Sequence, residues 1–212
     1  MLAALALVSA LLSAPAAGPM LQATPEDRLG KLPPGLGLKV GQAAPDAELT
    51  NVSGEAVRLS SLYAKGPTML VFYRGGWCPF CNLQLHELAA RKADFDKRGV
   101  SIAAISVELP SEESKTQAKN SIPFPMLSDP TLAAHKPFHV VHTPGAKELA
   151  ALKGFGVDLE ARSGQQHHTF AAPAVFLISP EGTVLWSHVD EDYKTRPSTD
   201  QLLRQFDVAL GR

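Results

Sequence analysis

Two cysteines, Cys78 and Cys81, are the only ones in 212 residues, and they stand three apart in Tyr73-Arg74-Gly75-Gly76-Trp77-Cys78-Pro79-Phe80-Cys81. An apolar run, Met69-Leu70-Val71-Phe72, comes directly before this stretch, and residues 82–88 read as a helix. The pair therefore falls at a strand-to-helix junction. The first turn of a helix offers unpaired N–H groups and the positive end of the helix dipole. Both stabilise a thiolate, the form of cysteine that attacks a disulfide or a peroxide. Pro79 suits the first helical turn, where its missing N–H costs nothing. A second thiol one turn on can close a disulfide ring onto the first, at a separation that a disulfide permits.

Two blander chemistries compete with this one. Cysteines are often small buried hydrophobes, but that gives no reason for C-x-x-C spacing at the head of a helix. A zinc site needs two more ligands. His135, His139, His142, His167 and His168 are at hand, but their spacing from the cysteines follows no common zinc pattern. The redox pair is the reading this arrangement favours.

Around the pair, Arg74 is either a charge held near a thiolate or peroxide oxygen, or an exposed side chain in a Gly-rich loop. Arg196 is a weaker candidate for the same task. Trp77 shields the pair from water or simply packs. His86 and Glu87 fall on the solvated side of the helix, and the adjacent His167 and His168 suit a surface loop better than one ion.

The elements that must hold these residues follow from the apolar pattern. Residues 47–50 and 56–58 make a short hairpin around the turn at 51–54. A brief helix over 59–63 is broken by Gly66-Pro67. Residues 68–73 form a buried strand, and the helix over 81–97 puts Cys81, Leu85, Leu88 and Phe95 on one stripe. Gly99 stops it, and 100–107 is the next buried strand. A strand, helix, strand unit of this length makes parallel neighbours. A helix over 112–119 with Ser111 as N-cap follows, then an extended piece at 123–129, a helical turn over 131–136, a less regular insertion over 139–154 and a polar loop over 162–168. Residues 174–178 and 183–189 make an antiparallel hairpin, and a helix over 199–210, capped by Ser198 or Thr199, closes the chain.

Composition sets the outer bounds. The chain has the length of one domain with some extra, and 45% apolar residues supply a core. A net charge of −1 gives no basic footprint for nucleic acid or an acidic membrane surface. Residues 1–17 are Ala/Leu-rich, too short to anchor in a bilayer, and contain Ala14-Pro15-Ala16, an A-x-A-like cleavage site. They read as a signal segment, which implies export to a periplasmic or other extracytoplasmic compartment and no stable membrane insertion after its removal. A cytoplasmic protein with an Ala-rich leader is the alternative. Residues 18–38 are a Pro/Gly-rich linker or arm, and 39–212 the folded domain.

The order strand, C-x-x-C helix, strand, helix, Pro before a hairpin, last helix resembles the thioredoxin fold: α/β, a central mixed β-sheet flanked by helices, here with an N-terminal β-hairpin extension. Val40-Gly41-Gln42-Ala43-Ala44-Pro45, Phe72-Tyr73, Leu127-Ser128-Asp129 and Phe176-Leu177-Ile178-Ser179-Pro180-Glu181-Gly182 further resemble peroxiredoxins of the alkyl hydroperoxide reductase and thiol-specific antioxidant family. That family's motif, P-x-x-x-T-x-x-C, places Cys81 at the peroxide-attacking position, with Cys78 where the Thr stands and Arg74 where the Pro stands. The loss of the Thr removes a hydroxyl that would orient the peroxide. The thioredoxin pattern W-C-x-x-C matches in full and makes Cys78 the attacking thiol towards disulfides. Pro173 matches the cis-proline that faces the pair in thioredoxins.

The resemblance implies a thiol antioxidant enzyme that reduces hydroperoxides or disulfides through a Cys78/Cys81 dithiol–disulfide cycle, with Cys81 as the peroxide thiol, Cys78 resolving it, and a thioredoxin-like electron donor. It needs no metal or organic cofactor. An exported protein-disulfide reductase without peroxidase activity and a redox-sensing binding module are the rival readings. The oligomeric state is not legible.

Overall fold

The computed structural model describes residues 32–189 and 192–212. The signal segment expected over 1–17, and the part of the arm before residue 32, lie outside the described residues.

The sequence builds two layers of apolar side chains on one sheet. In β3 (Thr68–Phe72) every residue is buried. Met69, Val71 and the following Tyr73 point into one apolar cluster, while Leu70 and Phe72 point into another. Alternate strand residues face opposite sides, so a strand buried on both faces must be central. It is: the seven-stranded sheet runs β2-β1-β5-β4-β3-β8-β9. β4 (Ser101–Ser106) pairs parallel to β3, and β5 (Met126–Ser128) parallel to β4. β8 (Ala174–Ile178) lies antiparallel on the other side of β3, followed by β9 (Val184–Val189). The hairpin of β1 (Glu48–Asn51) and β2 (Ala56–Arg58) extends the sheet beyond β5. The mixed sheet and the N-terminal hairpin are those the sequence implies.

The helices differ in detail. α1 (Leu59–Tyr63) follows β2 as expected. The helix over 81–97 is two: α2 (Pro79–Ala90) and α3 (Lys92–Asp96), broken at Arg91 with φ −106° and ψ 12°. Arg91 spends its guanidinium on Asp94 and Asp200, and Phe95 still reaches the core beside Phe206. α4 (Pro110–Lys119) starts earlier than expected, with Leu109 rather than Ser111 at the N-cap and Pro110 in the first turn. The insertion is more ordered than its sequence suggests. β6 (Val141–His142) pairs with β7 (Phe170–Ala171) in a second, two-stranded sheet. α5 (Ala146–Gly154) and α6 (Leu159–Ser163) lie between these strands in sequence, α6 taking the start of the expected loop over 162–168. α7 (Thr199–Ala209) closes the chain with Ser198 and Gln201 in a reciprocal capping box.

Two further points concern the ends of the arm and the hairpin. Leu32 and Leu38 are buried, and the Gly37 N–H donates to the His139 carbonyl at 2.8 Å, so this part of the arm lies on the domain. Pro173 is not a cis-proline: among the described residues every peptide bond is trans. Ala172 N–H donates to the Val140 carbonyl at 2.7 Å.

Candidate active site

α2 carries the dithiol. Its inward stripe is Cys81, Gln84, Leu85 and Leu88, and Cys78 is its N-cap, with φ −85° and ψ 115°. Pro79 occupies the first turn. Ahead of the helix the chain turns tightly, and Cys78 N–H donates to the Gly75 carbonyl at 3.1 Å. Both cysteines are free thiols at 0% exposure, within the cluster on the α2 side of the sheet.

The two thiols are not equivalent. The Cys78 thiol is lowered to about 6, first by a hydrogen bond from the Cys81 thiol, against the cost of burial, and then by the positive charge of Arg74, the Cys81 N–H and the charge of Arg196. Cys81 is pushed well up, by burial and then by its role as donor to Cys78 and by the charge there. Two thiolates this close repel, so one ionises and the other holds its proton. The resemblance gives the peroxide-attacking role to Cys81; the charge distribution here favours Cys78 as the thiolate.

Arg74 is a buried residue, 5% exposed, and not the solvated loop side chain its Gly-rich setting suggests. Its guanidinium pairs with Glu148 of α5 at 3.1 Å. It also stacks between the rings of Trp77, Phe170 and Tyr193, at 4.7, 4.6 and 4.1 Å. His142 holds the other oxygen of Glu148 at 2.8 Å. The Arg74 Nε and the Trp77 Nε1 are buried without a hydrogen-bond partner among the described residues. Trp77 is half-buried against Phe170. Arg196, the weaker candidate, reaches the pair: its Nη2 lies 3.7 Å from Cys81 Sγ and its Nε donates to Gln84 at 3.1 Å.

A cavity of about 400 Å³ opens beside the dithiol, walled by Trp77, Pro79, Phe80, Leu152 and Tyr193, with Arg74 and Glu148 as its charged lining. Small-molecule sites are of this size and of this largely apolar character.

The other candidates stand apart. His86 and Glu87 are exposed on α2. His167 bonds the Pro130 carbonyl and Thr169, and His168 pairs with Glu160. His135 is buried on Asp129 at 2.6 Å. Pro173 is buried at the head of β8. Among the described residues, no group of three or more His, Cys, Asp or Glu is placed to hold a metal.

Sequence reasoning missed the acids under the turn. Glu113 of α4 is fully buried, and the hydroxyls of Tyr73 and Ser106 both donate to it. Burial raises its carboxyl to about 8 despite those bonds. Glu108, 1% exposed, accepts the Gly76 N–H and the Arg162 guanidinium. The signal available was the pair of glutamates at 108 and 113, both just beyond the apolar strand β4.

Peroxiredoxin Bcp of Escherichia coli (strain K12) is 29% identical over 167 residues, 78% of this chain and 94% of the relative. The barley (Hordeum vulgare) 1-Cys peroxiredoxin PER1 is 28% identical over 112 residues, 50% of this chain; the match spans about half of that relative, 51%. Peroxidoxin BcpB of Mycobacterium tuberculosis superposes with a TM-score of 0.64 at 21% identity, covering 81% of this chain and 97% of its own. PrxQ of Xylella fastidiosa gives 0.65 at 15%, covering 83% and 99%; at such identities the likeness is one of fold. The AhpC/TSA family model matches residues 40–187, and with most of the folded domain inside that match the chain belongs to the AhpC/TSA family.

Proposed function

We propose that the protein is a thiol peroxidase in which Cys78 attacks the hydroperoxide and Cys81 resolves it. The observation that carries this reading is the buried Cys78 sulfur, held as a thiolate by the Cys81 thiol and N–H and by Arg74, beside a cavity of small-molecule size. Membership of the AhpC/TSA family supports it.

In the first step the Cys78 thiolate attacks the terminal peroxide oxygen. The O–O bond breaks, the sulfur is oxidised to a sulfenic acid, and the other oxygen leaves as alkoxide or hydroxide and takes a proton. Arg74, a charged residue of the cavity wall, is suited to meet a peroxide oxygen. In the second step the Cys81 sulfur attacks Cys78, its proton leaves with the sulfenic oxygen as water, and a Cys78–Cys81 disulfide forms. A thioredoxin-like dithiol then reduces the disulfide by exchange. Membership of the AhpC/TSA family favours peroxidase over protein-disulfide reductase. We also propose that residues 1–17 direct export; the mass of the mature protein tests this, and an intact Met1 in cytosolic protein overturns it.

The test is hydroperoxide consumption with thioredoxin as reductant, with a sulfenic-acid probe on Cys78→Ser and Cys81→Ser. Turnover in the wild type and label on Cys78 in Cys81→Ser are expected. Label on Cys81 in Cys78→Ser and none on Cys78 in the converse variant restores the assignment that the family motif implies. Insulin reduction without peroxide consumption makes the protein a disulfide reductase.

A further inference from the structure

The turn that presents Cys78 is held from beneath by a group the proposed chemistry does not use. Gly75 sits at φ +142°, and a Cβ there would fall 2.5 Å from Trp77 Nε1 and 2.9 Å from the carboxyl carbon of Glu108. A Cβ on Gly76 would fall 1.9 Å from Thr116 Oγ1. The two glycines therefore let the backbone lie directly on Glu108, just beyond β4, and on Thr116 in the second half of α4. There the Glu108 carboxylate accepts the Gly76 N–H at 2.6 Å, and its other oxygen accepts Arg162 Nε. Arg162 also pairs with Glu112 at 2.9 Å. From above, Asn82 Nδ2 of α2 donates to the Gly76 carbonyl at 2.8 Å. Asn82 is itself held by Asn120, at 3.2 Å, and Asn120 by the Thr116 carbonyl, at 3.0 Å. Gly76 is thus gripped through both its N–H and its C=O, two residues before the N-cap cysteine.

We infer that Glu108 is a positioning residue for the dithiol: its buried carboxylate pins Gly76 and so fixes the turn that sets the Cys78 sulfur against Arg74 and the Cys81 N–H. The inference rests on Cys78 being the reacting thiol. An ionised acceptor makes a stronger bond to a backbone N–H than a neutral one. Burial holds the Glu108 carboxyl above its ordinary value, and Arg162, brought by α6, together with the Gly76 N–H, reduces that cost of burying its charge. Glu108 acts on the sulfur only through the backbone, so its loss displaces the thiolate from its donors without touching substrate.

The experiment compares Glu108→Ala, Glu108→Gln and Arg162→Met by two readouts: the thiolate absorbance titration, and iodoacetamide labelling at pH 7 mapped by peptide mass. In Glu108→Ala the thiolate midpoint rises and Cys78 labelling slows about tenfold, the scale of one lost charge-assisted hydrogen bond. Glu108→Gln keeps an oxygen for Gly76 N–H and stays within about threefold of wild type. Arg162→Met lowers the melting temperature but leaves the titration near that of wild type, which separates positioning from stability. If Glu108→Ala does not fold, Asn82→Ala, which frees the other side of Gly76, takes its place and shows the same rise. A wild-type titration in Glu108→Ala, or in Asn82→Ala where that stands in, overturns the inference. So does a Gln variant as impaired as the Ala variant. Label on Cys81 in the wild-type protein brings down the underlying reading of Cys78, a result distinct from both.

Discussion

Two acids lie buried beside the same turn and are driven in opposite directions. The Cys78 thiol, at 0% exposure, falls to about 6. The Glu113 carboxyl, also at 0% exposure, rises to about 8. Burial disfavours the charged form of both. The difference lies in the neighbours. Cys78 faces a thiol donor, a backbone N–H and two guanidinium charges. Glu113 faces two hydroxyl donors and the negative charge of Glu108. For Glu113 the donors alone do not offset burial; for Cys78 the donors together with two cations more than offset it. Two buried acids beside one turn are thus set to carry opposite protonation states at neutral pH.

The largest effect expected is on the first of these sites. Cys78→Ser removes the anion and takes peroxide consumption to background. The wild-type rate at low peroxide rises with pH through about 6, as the thiolate forms, and levels above it. Measurement of kcat/KM between pH 4.5 and 8 checks both statements. A rate still climbing above pH 8 breaks the comparison, because the reacting thiol is then not the lowered one.

Much of this architecture was legible, and for a physical reason. The apolar run of β3, the C-x-x-C spacing and the stripe of Cys81, Leu85 and Leu88 are local patterns, each fixed by one element's period. The site's polarity was not. Arg74 belongs to a Gly-rich loop by sequence, and becomes buried only because Glu148, Phe170 and Tyr193 arrive from distant parts of the chain. Which cysteine carries the charge depends in part on those arrivals; the peroxiredoxin resemblance placed the peroxide thiol at Cys81, whereas the thioredoxin motif placed the attacking thiol at Cys78. The break at Arg91 was hidden for a similar reason: its partner Asp200 lies in the last helix.

The next effects separate donor from cation. Cys81→Ala deletes the hydrogen bond that lowers Cys78 most, so the Cys78 midpoint rises by about one unit or more, and its alkylation at pH 6 slows by about tenfold. Cys81→Ser keeps a hydroxyl donor and moves the midpoint less. Neither variant turns over, because the resolving sulfur is gone. Arg74→Met removes the charge but leaves the Cys81 donor. The midpoint rises by up to about one unit, and the peroxide rate at pH 6 falls by up to about tenfold. Equal midpoints in Cys81→Ala and Cys81→Ser show that the donor is not what separates the thiols. A wild-type midpoint in Arg74→Met removes Arg74 from the explanation and leaves Arg196 as the remaining cation.

The smallest effect falls on Glu113 and is read in stability rather than activity. Folded Glu113 keeps its proton up to about pH 8, whereas in the unfolded chain a glutamate releases it near about 4.3. Between those values the folded state binds more protons, so stability declines as pH rises. This contribution is complete below the unfolded value, shrinks across the window and is flat above about 8. Glu113→Gln has no proton to lose there and still offers an amide oxygen to one of the two hydroxyls. The variant therefore gains on the wild type as pH rises from 4.5 to 8, by up to a few kcal/mol, since one unit of displacement is worth about 1.4 kcal/mol. Urea unfolding of both proteins at pH 5, 6.5 and 8 measures the gain. A constant difference at all three values means that Glu113 is already ionised in the folded protein. The two hydroxyls would then suffice to hold a buried charge, and the contrast with Cys78 would reduce to the distance of each group from Arg74.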